Sequence, residues 1–149
     1  MTPINTWRWV IGGSVTGALL VVSDYLVNGM FLAEEWGAAV EANGLEPISA
    51  SAILILVLMS FVTGLMIVWL YAAIRPRFGP GARTASLAGL FVWLLLYLWP
   101  FLSNVLTPVW PSSLFMTTAI VGLFTVMIAT LVGCWIYSEK EIEEFVSAG

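Results

Sequence analysis

A chain of 149 residues that is 60% hydrophobic and only 9% charged departs from soluble domains, where roughly a quarter of residues are charged, and reads as one integral membrane domain. Its net charge of -4 speaks against nucleic acid, whose phosphates require a basic patch. With no histidine and a single cysteine, Cys134, the usual general base, zinc ligand and haem ligand are missing and no intrachain disulfide can form, so no cofactor, metal site or catalytic group is expected.

About 20 mostly apolar residues cross a bilayer, and four segments qualify: residues 9–32, 51–74, 84–105 and 114–137. The predicted class is all-α, an integral membrane four-helix bundle occupying residues 1–149 as a single domain. The first segment has a signal-peptide look, with Arg8 before an apolar run and Val21 and Ser23 at a passable cleavage site. The apolar stretch continues past Asp24 to Leu32, which predicts an uncleaved span.

Inside that span, LLVVSDYLVNGMF at residues 19–31 sets Asp24 and Asn28 one helical turn apart. Asp24 is the one acid well inside a predicted span, about two turns from the outer surface. A charge there costs roughly 2.5 to 3.5 kcal/mol even on the lenient insertion scale, so Asp24 is predicted to face the bundle or to be protonated. Asn28, at i+4, is the expected hydrogen-bond partner, and Tyr97 and Asn104 on the third span are further candidates. These residues form the candidate intramembrane polar site. It reads either as a proton, cation or head-group site, or as a buried hydrogen bond that fixes packing, such bonds averaging about 0.6 kcal/mol. The lack of a second intramembrane acid or a basic counter-ion favours packing.

The next loop, residues 33–48, carries Glu34, Glu35, Glu41 and Glu46 and no basic residue, which suits the outer face. Residues 35–43 predict a short interfacial helix with Trp36, Ala39 and Val40 on one side, stopped by Gly44. Between the second and third spans, RPRFGPGAR holds Arg75, Arg77 and Arg83, three of the five basic residues. The positive-inside rule puts that loop in the cytoplasm, together with Arg8, Lys140 and both termini. These arginines read as topology determinants, the alternative being contact with anionic lipid head groups or an acidic partner. Pro76, Gly79, Pro80 and Gly81 predict a tight turn with Thr84 as N-cap, making spans two and three an antiparallel hairpin.

Pro100 removes a backbone donor and predicts a kink near the outer end of span three, either a packing detail or the opening of a cavity near Asp24. Pro108, Trp110 and Pro111 predict a stiff uncharged link. Residues 139–146 predict a helical continuation with Ile142 and Phe145 against the bilayer surface. Cys134 reads as a small buried residue. Serine and threonine hydroxyls lack a base, so nucleophilic catalysis has no second member.

Spans two and four both end in Trp-x-Tyr, at Trp69 and Tyr71 and at Trp135 and Tyr137. Spans one and three both carry Leu-x-Asn, at Leu26 and Asn28 and at Leu102 and Asn104. An aromatic belt with polar helix ends accounts for this echo; a duplicated hairpin about an axis along the membrane normal is the sharper reading. Gly13 with Gly17, Ala85 with Gly89, and Ala129 with Gly133 each place two small residues on one face for close packing.

Several of these segments resemble a family of small four-span bacterial membrane proteins with an RPRFGPG loop. The resemblance is carried by Asp24, Asn28 and Gly29, by Ala33-Glu34-Glu35-Trp36, by WLYAAIRPRFGPGART at residues 69–84, by AGLFVWLLLYLWP at residues 88–100 and by TLVGCWIY near the end. In that family the acid is often Glu, and a proline often stands at the position of Ala82. The resemblance implies a four-helix membrane bundle in which the acid and Asn28 belong together, and it implies no activity. The composition then suggests a non-enzymatic accessory or assembly subunit of the cell inner membrane, packing against lipids, other membrane subunits or copies of itself. The alternative is a small-solute or proton-coupled transporter oligomer built around Asp24 and Asn28.

Overall fold

Backbone polar groups in lipid must be satisfied within the chain, which drives apolar segments of this length into helices. The computed structural model describes residues 4–138; the helix predicted at residues 139–146, and Lys140, lie outside them. Helix α1 (Thr6–Asp24) runs directly into a π-helical segment (Tyr25–Phe31). There follow α2 (Ala33–Ala42), α3 (Ala50–Phe78), α4 (Ala82–Trp93), a second π-helical segment (Leu94–Leu98), α5 (Trp99–Leu106) and α6 (Ser112–Ser138). Together they make four helices long and apolar enough to cross a membrane: Thr6–Phe31, Ala50–Phe78, Ala82–Leu106 and Ser112–Tyr137. The protein is an all-α, multi-pass membrane bundle.

Local chemistry sets most helix ends. The Asn5 side chain accepts from the Arg8 N–H at 3.2 Å, and the Ser49 hydroxyl accepts from the Ala52 N–H at 3.2 Å, capping α1 and α3. Two expectations at the arginine loop need correction. Helix α3 does not stop before Pro76 but continues through it to Phe78. The missing donor falls in the last turn, and the chain is reversed by Gly79 (φ +82°) and Gly81 (φ +116°), a region glycine enters freely. Thr84 is not the N-cap either. Gly81 holds that position, and the Thr84 hydroxyl reaches back to donate to the Gly79 carbonyl at 2.7 Å. The Tyr71 hydroxyl accepts from the Gly81 N–H at 3.1 Å, so both side chains hold the hairpin turn.

Helix α1 packs between α3 and α6, while α4 packs on α6 and on α3. Glycines allow these approaches. A Cβ on Gly64 would collide with the backbones of Gly13 and Gly17, and one on Gly12 would stand 2.6 Å from the Gly133 carbonyl oxygen. Backbones this close carry helix association where lipid removes any hydrophobic drive. The Thr16 hydroxyl, wholly buried there, meets the carbonyls of Gly12 and Ala129 at 2.9 and 3.2 Å.

The core has three layers. At the arginine end Val68, Tyr71, Ala72, Ala85, Ala88, Cys134 and Tyr137 pack together, which places Cys134 as the small buried residue expected. Leu20, Ile67, Val126 and Ala129 fill the middle. At the glutamate end Leu32, Ala39 and Leu114 pack with Trp36 and Trp110. Helix α2 is thus the short helix predicted, ended at Gly44 (φ +65°), with its Trp36 side turned onto the bundle. The Trp-x-Tyr echo is also physical: Tyr71 and Tyr137 meet edge to face, 6.1 Å apart, while Trp69 and Trp135 point outward. By contrast, α3 buries no residue fully between positions 50 and 63, although its backbone at Ser60 and Phe61 still lies close against Gly17 of α1.

Candidate functional site

Asp24 ends α1 at the point where the ladder widens to π, and Tyr97 lies inside the second π segment. The second segment has a cause in the sequence. Pro100 offers no N–H, and the Trp99 N–H bonds the Leu94 carbonyl, five residues back. The first shows the same five-residue step from the Leu32 N–H to the Val27 carbonyl, with no proline. Short π segments recur at functional sites because the wider turn re-aims side chains. Pro100 therefore acts through a change of helical register that carries Tyr97 toward span one.

The Tyr97 hydroxyl and the Asp24 carboxyl lie side by side at one small space and interact. The Tyr97 ring reaches there over Gly122, where a Cβ would come within 2.6 Å of the ring. The Ser23 and Thr125 hydroxyls are 2.9 Å apart, and because Thr125 donates to the Val121 carbonyl, Ser23 is the donor to Thr125. The Asn28 Oδ1 accepts twice, from the Trp36 Nε1 at 3.1 Å and from the Thr118 hydroxyl at 3.2 Å.

The structure thus brings together three of the four predicted residues, with a different pairing. Asn28 is not hydrogen-bonded to Asp24: the π turn takes i+4 out of helical register, and Trp36 and Thr118 satisfy its oxygen instead. Its Nδ2 makes no hydrogen bond among the described residues. Asn104 lies elsewhere. It is buried against the link after α5, accepting from the Val109 and Trp110 N–H groups at 3.3 and 3.1 Å and donating to the Trp110 carbonyl at 2.9 Å. It shapes the loop and has no part in the cluster. Ser23, Trp36, Thr118 and Thr125 were missed from sequence. Their available signal is modest: Ser23 adjoins Asp24, and Thr118 and Thr125 lie two turns apart on one face of α6.

Two adjoining spaces open at this cluster. A polar one of about 10 Å³, room for roughly one water, lies among Ser23, Asp24, Asn28, Tyr97, Thr118 and Gly122. An apolar groove of about 110 Å³ is lined by Trp36, Leu96, Tyr97, Pro100, Phe115 and Thr118. Tyr97 and Thr118 border both. Trp36 anchors the groove wall, edge-on to Phe115 at 6.0 Å and to Trp110 at 5.8 Å. Toward the arginine end the way is closed by Leu20, Ile67, Val126 and Ala129, against which Tyr97 also packs.

The arginines lie at the opposite end. The Arg75 guanidinium stands 5.9 Å over the Tyr137 ring, and Arg8 donates to the Ile136 carbonyl at 3.2 Å. Arg77 and Arg83 are exposed. Among the described residues no three His, Cys, Asp or Glu side chains gather to hold a metal. The cluster offers one carboxylate, a ring of hydroxyls and an apolar side groove, which suits binding better than bond making. No protein-family description, curated protein or solved structure matches the chain.

Proposed function

We propose that this protein is a non-enzymatic transporter component of the bacterial inner membrane, with both termini cytoplasmic, that binds a small solute at the Asp24 cluster. Membership of the small four-span family with the RPRFGPG loop is part of the same proposal. The observation that carries it is that Asp24 borders a small polar space which shares Tyr97 and Thr118 with a larger apolar groove. A carboxylate kept only to fix two helices would be enclosed by its partners; Asp24 is only partly buried and borders that space. The layer of Leu20, Ile67, Val126 and Ala129 makes the site one-sided in this conformation, so passage requires that layer to rearrange, as alternating access demands.

The test is uptake into proteoliposomes of four-carbon solutes that differ only in head group, comparing the native protein with Asp24→Asn. Uptake that depends on Asp24 supports transport. Absence of uptake and of binding for every head group contradicts it.

The second reading, an accessory subunit packing against other membrane proteins or its own copies, is favoured by α3. Ile53, Leu54, Ile55, Leu56 and Leu58 are all about half exposed, on every side of the helix. The native mass after gentle extraction tests it, since recovery in a large assembly is what an accessory subunit predicts.

A further inference from the structure

We infer that the solute is a small amphiphilic primary ammonium ion, its head on Asp24 and its short apolar body in the groove beside Trp36 and Phe115. This deepens the solute-binding reading above and rests on it.

Charge gives the sign. Among the described residues Asp24 is the one ionisable carboxyl bordering either space, and no basic residue borders them. An anionic head would meet a carboxylate with no counter-charge, in surroundings where an unpaired charge is expensive. A cation offsets it.

Hydrogen bonding gives the head group. The Thr118 proton is committed to Asn28 and the Ser23 proton to Thr125. Both oxygens border the polar space and keep acceptor lone pairs, and Asp24 adds acceptors of its own. The Asn28 amide nitrogen and the Tyr97 hydroxyl are the side-chain donors set against them among the described residues. A wall of acceptors calls for a ligand rich in donors, and an ammonium carries three N–H groups and accepts none. A quaternary ammonium has the charge without the donors and fits less well.

Size and lining give the body. The groove of about 110 Å³ is smaller than the roughly 150 Å³ of an apolar cavity that takes benzene, and a body of about four carbons suits it. Trp36, Tyr97 and Phe115 put three aromatic rings around that body, and Tyr97 alone of them also borders the space at Asp24.

The test is calorimetric titration of the detergent-purified protein at neutral pH with n-butylammonium, n-butanol, butyrate and n-butyltrimethylammonium. The expected order places butylammonium about tenfold or more tighter than butanol, with butyltrimethylammonium weaker than butylammonium and butyrate weakest. Asp24→Asn removes the preference of butylammonium over butanol. Phe115→Leu, which alters only the groove that takes the apolar body, weakens butylammonium and butanol to a similar extent and keeps their order; this variant and the native series decide the matter even if Asp24→Asn does not fold. Butanol or butyrate binding as tightly as butylammonium overturns the cation assignment while leaving solute binding in place. No binding by any of the four, in a folded protein, overturns the assignment together with the solute-binding reading.

Discussion

Tyr97 on span three lies beside Asp24 on span one, and each residue stands at a π segment of its own helix. The pair therefore meets where both helices depart from the regular α ladder, and both residues border the same small polar space.

Replacing Tyr97 by Phe removes the hydroxyl beside Asp24 and keeps the ring on Gly122. Intramembrane hydrogen bonds average about 0.6 kcal/mol and reach about 1.7 kcal/mol, so Tyr97→Phe is expected to cost on that order in an unfolding titration in mixed micelles. Solute binding should weaken more than stability, because Tyr97 also borders the apolar groove. Unchanged binding would remove Tyr97 from the site.

Gly64 faces the backbones of Gly13 and Gly17 with no room for a Cβ. Gly64→Ala must push α1 and α3 apart, an overpacking that costs about 1 to 3 kcal/mol. Gly37, on α2, has open space around it. Gly37→Ala is expected to be neutral or to gain about 0.5 to 1 kcal/mol from helix propensity. Equal effects of the two substitutions, read by the same unfolding titration, would contradict the close α1–α3 contact.

Asn104 makes three hydrogen bonds to the backbone of the link before α6. Asn104→Ala strands those groups and should cost about 1 to 3 kcal/mol, with faster proteolysis at residues 107–111 and solute binding retained. Loss of binding with the link still protected would return Asn104 to the site.

Orientation has its own check. Ala82→Cys places a thiol beside the exposed Arg83, while the native Cys134 is 2% exposed and silent. In intact cells the new thiol should resist a membrane-impermeant maleimide and react once the membrane is opened. Labelling from outside would invert the topology.

The spans were legible because mean hydropathy over twenty residues is a coarse, additive property, and so was α2, whose Trp36 and Ala39 spacing and Gly44 stop follow local rules. The small-residue pairs were legible too: Gly13, Gly17, Ala85, Gly89, Ala129 and Gly133 are all buried at helix contacts. The site was legible only in part. Asp24 betrayed itself by being charged in an apolar run, and Tyr97 by being polar on a facing span. The pairing of Asn28 with Trp36 and Thr118, in place of Asp24, depends on a π turn that no local residue in 25–31 announces. Asn104 was a candidate as a second polar residue on span three, yet its partners come from a loop whose path spacing does not fix. The extension of α3 through Pro76 was missed because proline near a helix end signals a stop more often than a passage.

The most direct test of the central claim, that Asp24 is a solute site and not a packing bond, is the Asp24→Asn variant measured twice, for unfolding in mixed micelles and for n-butylammonium uptake into proteoliposomes. The account predicts a fold of near-native stability and loss of uptake. Uptake at the native level, or a native protein that moves nothing while Asp24→Asn merely loosens the bundle, would contradict it.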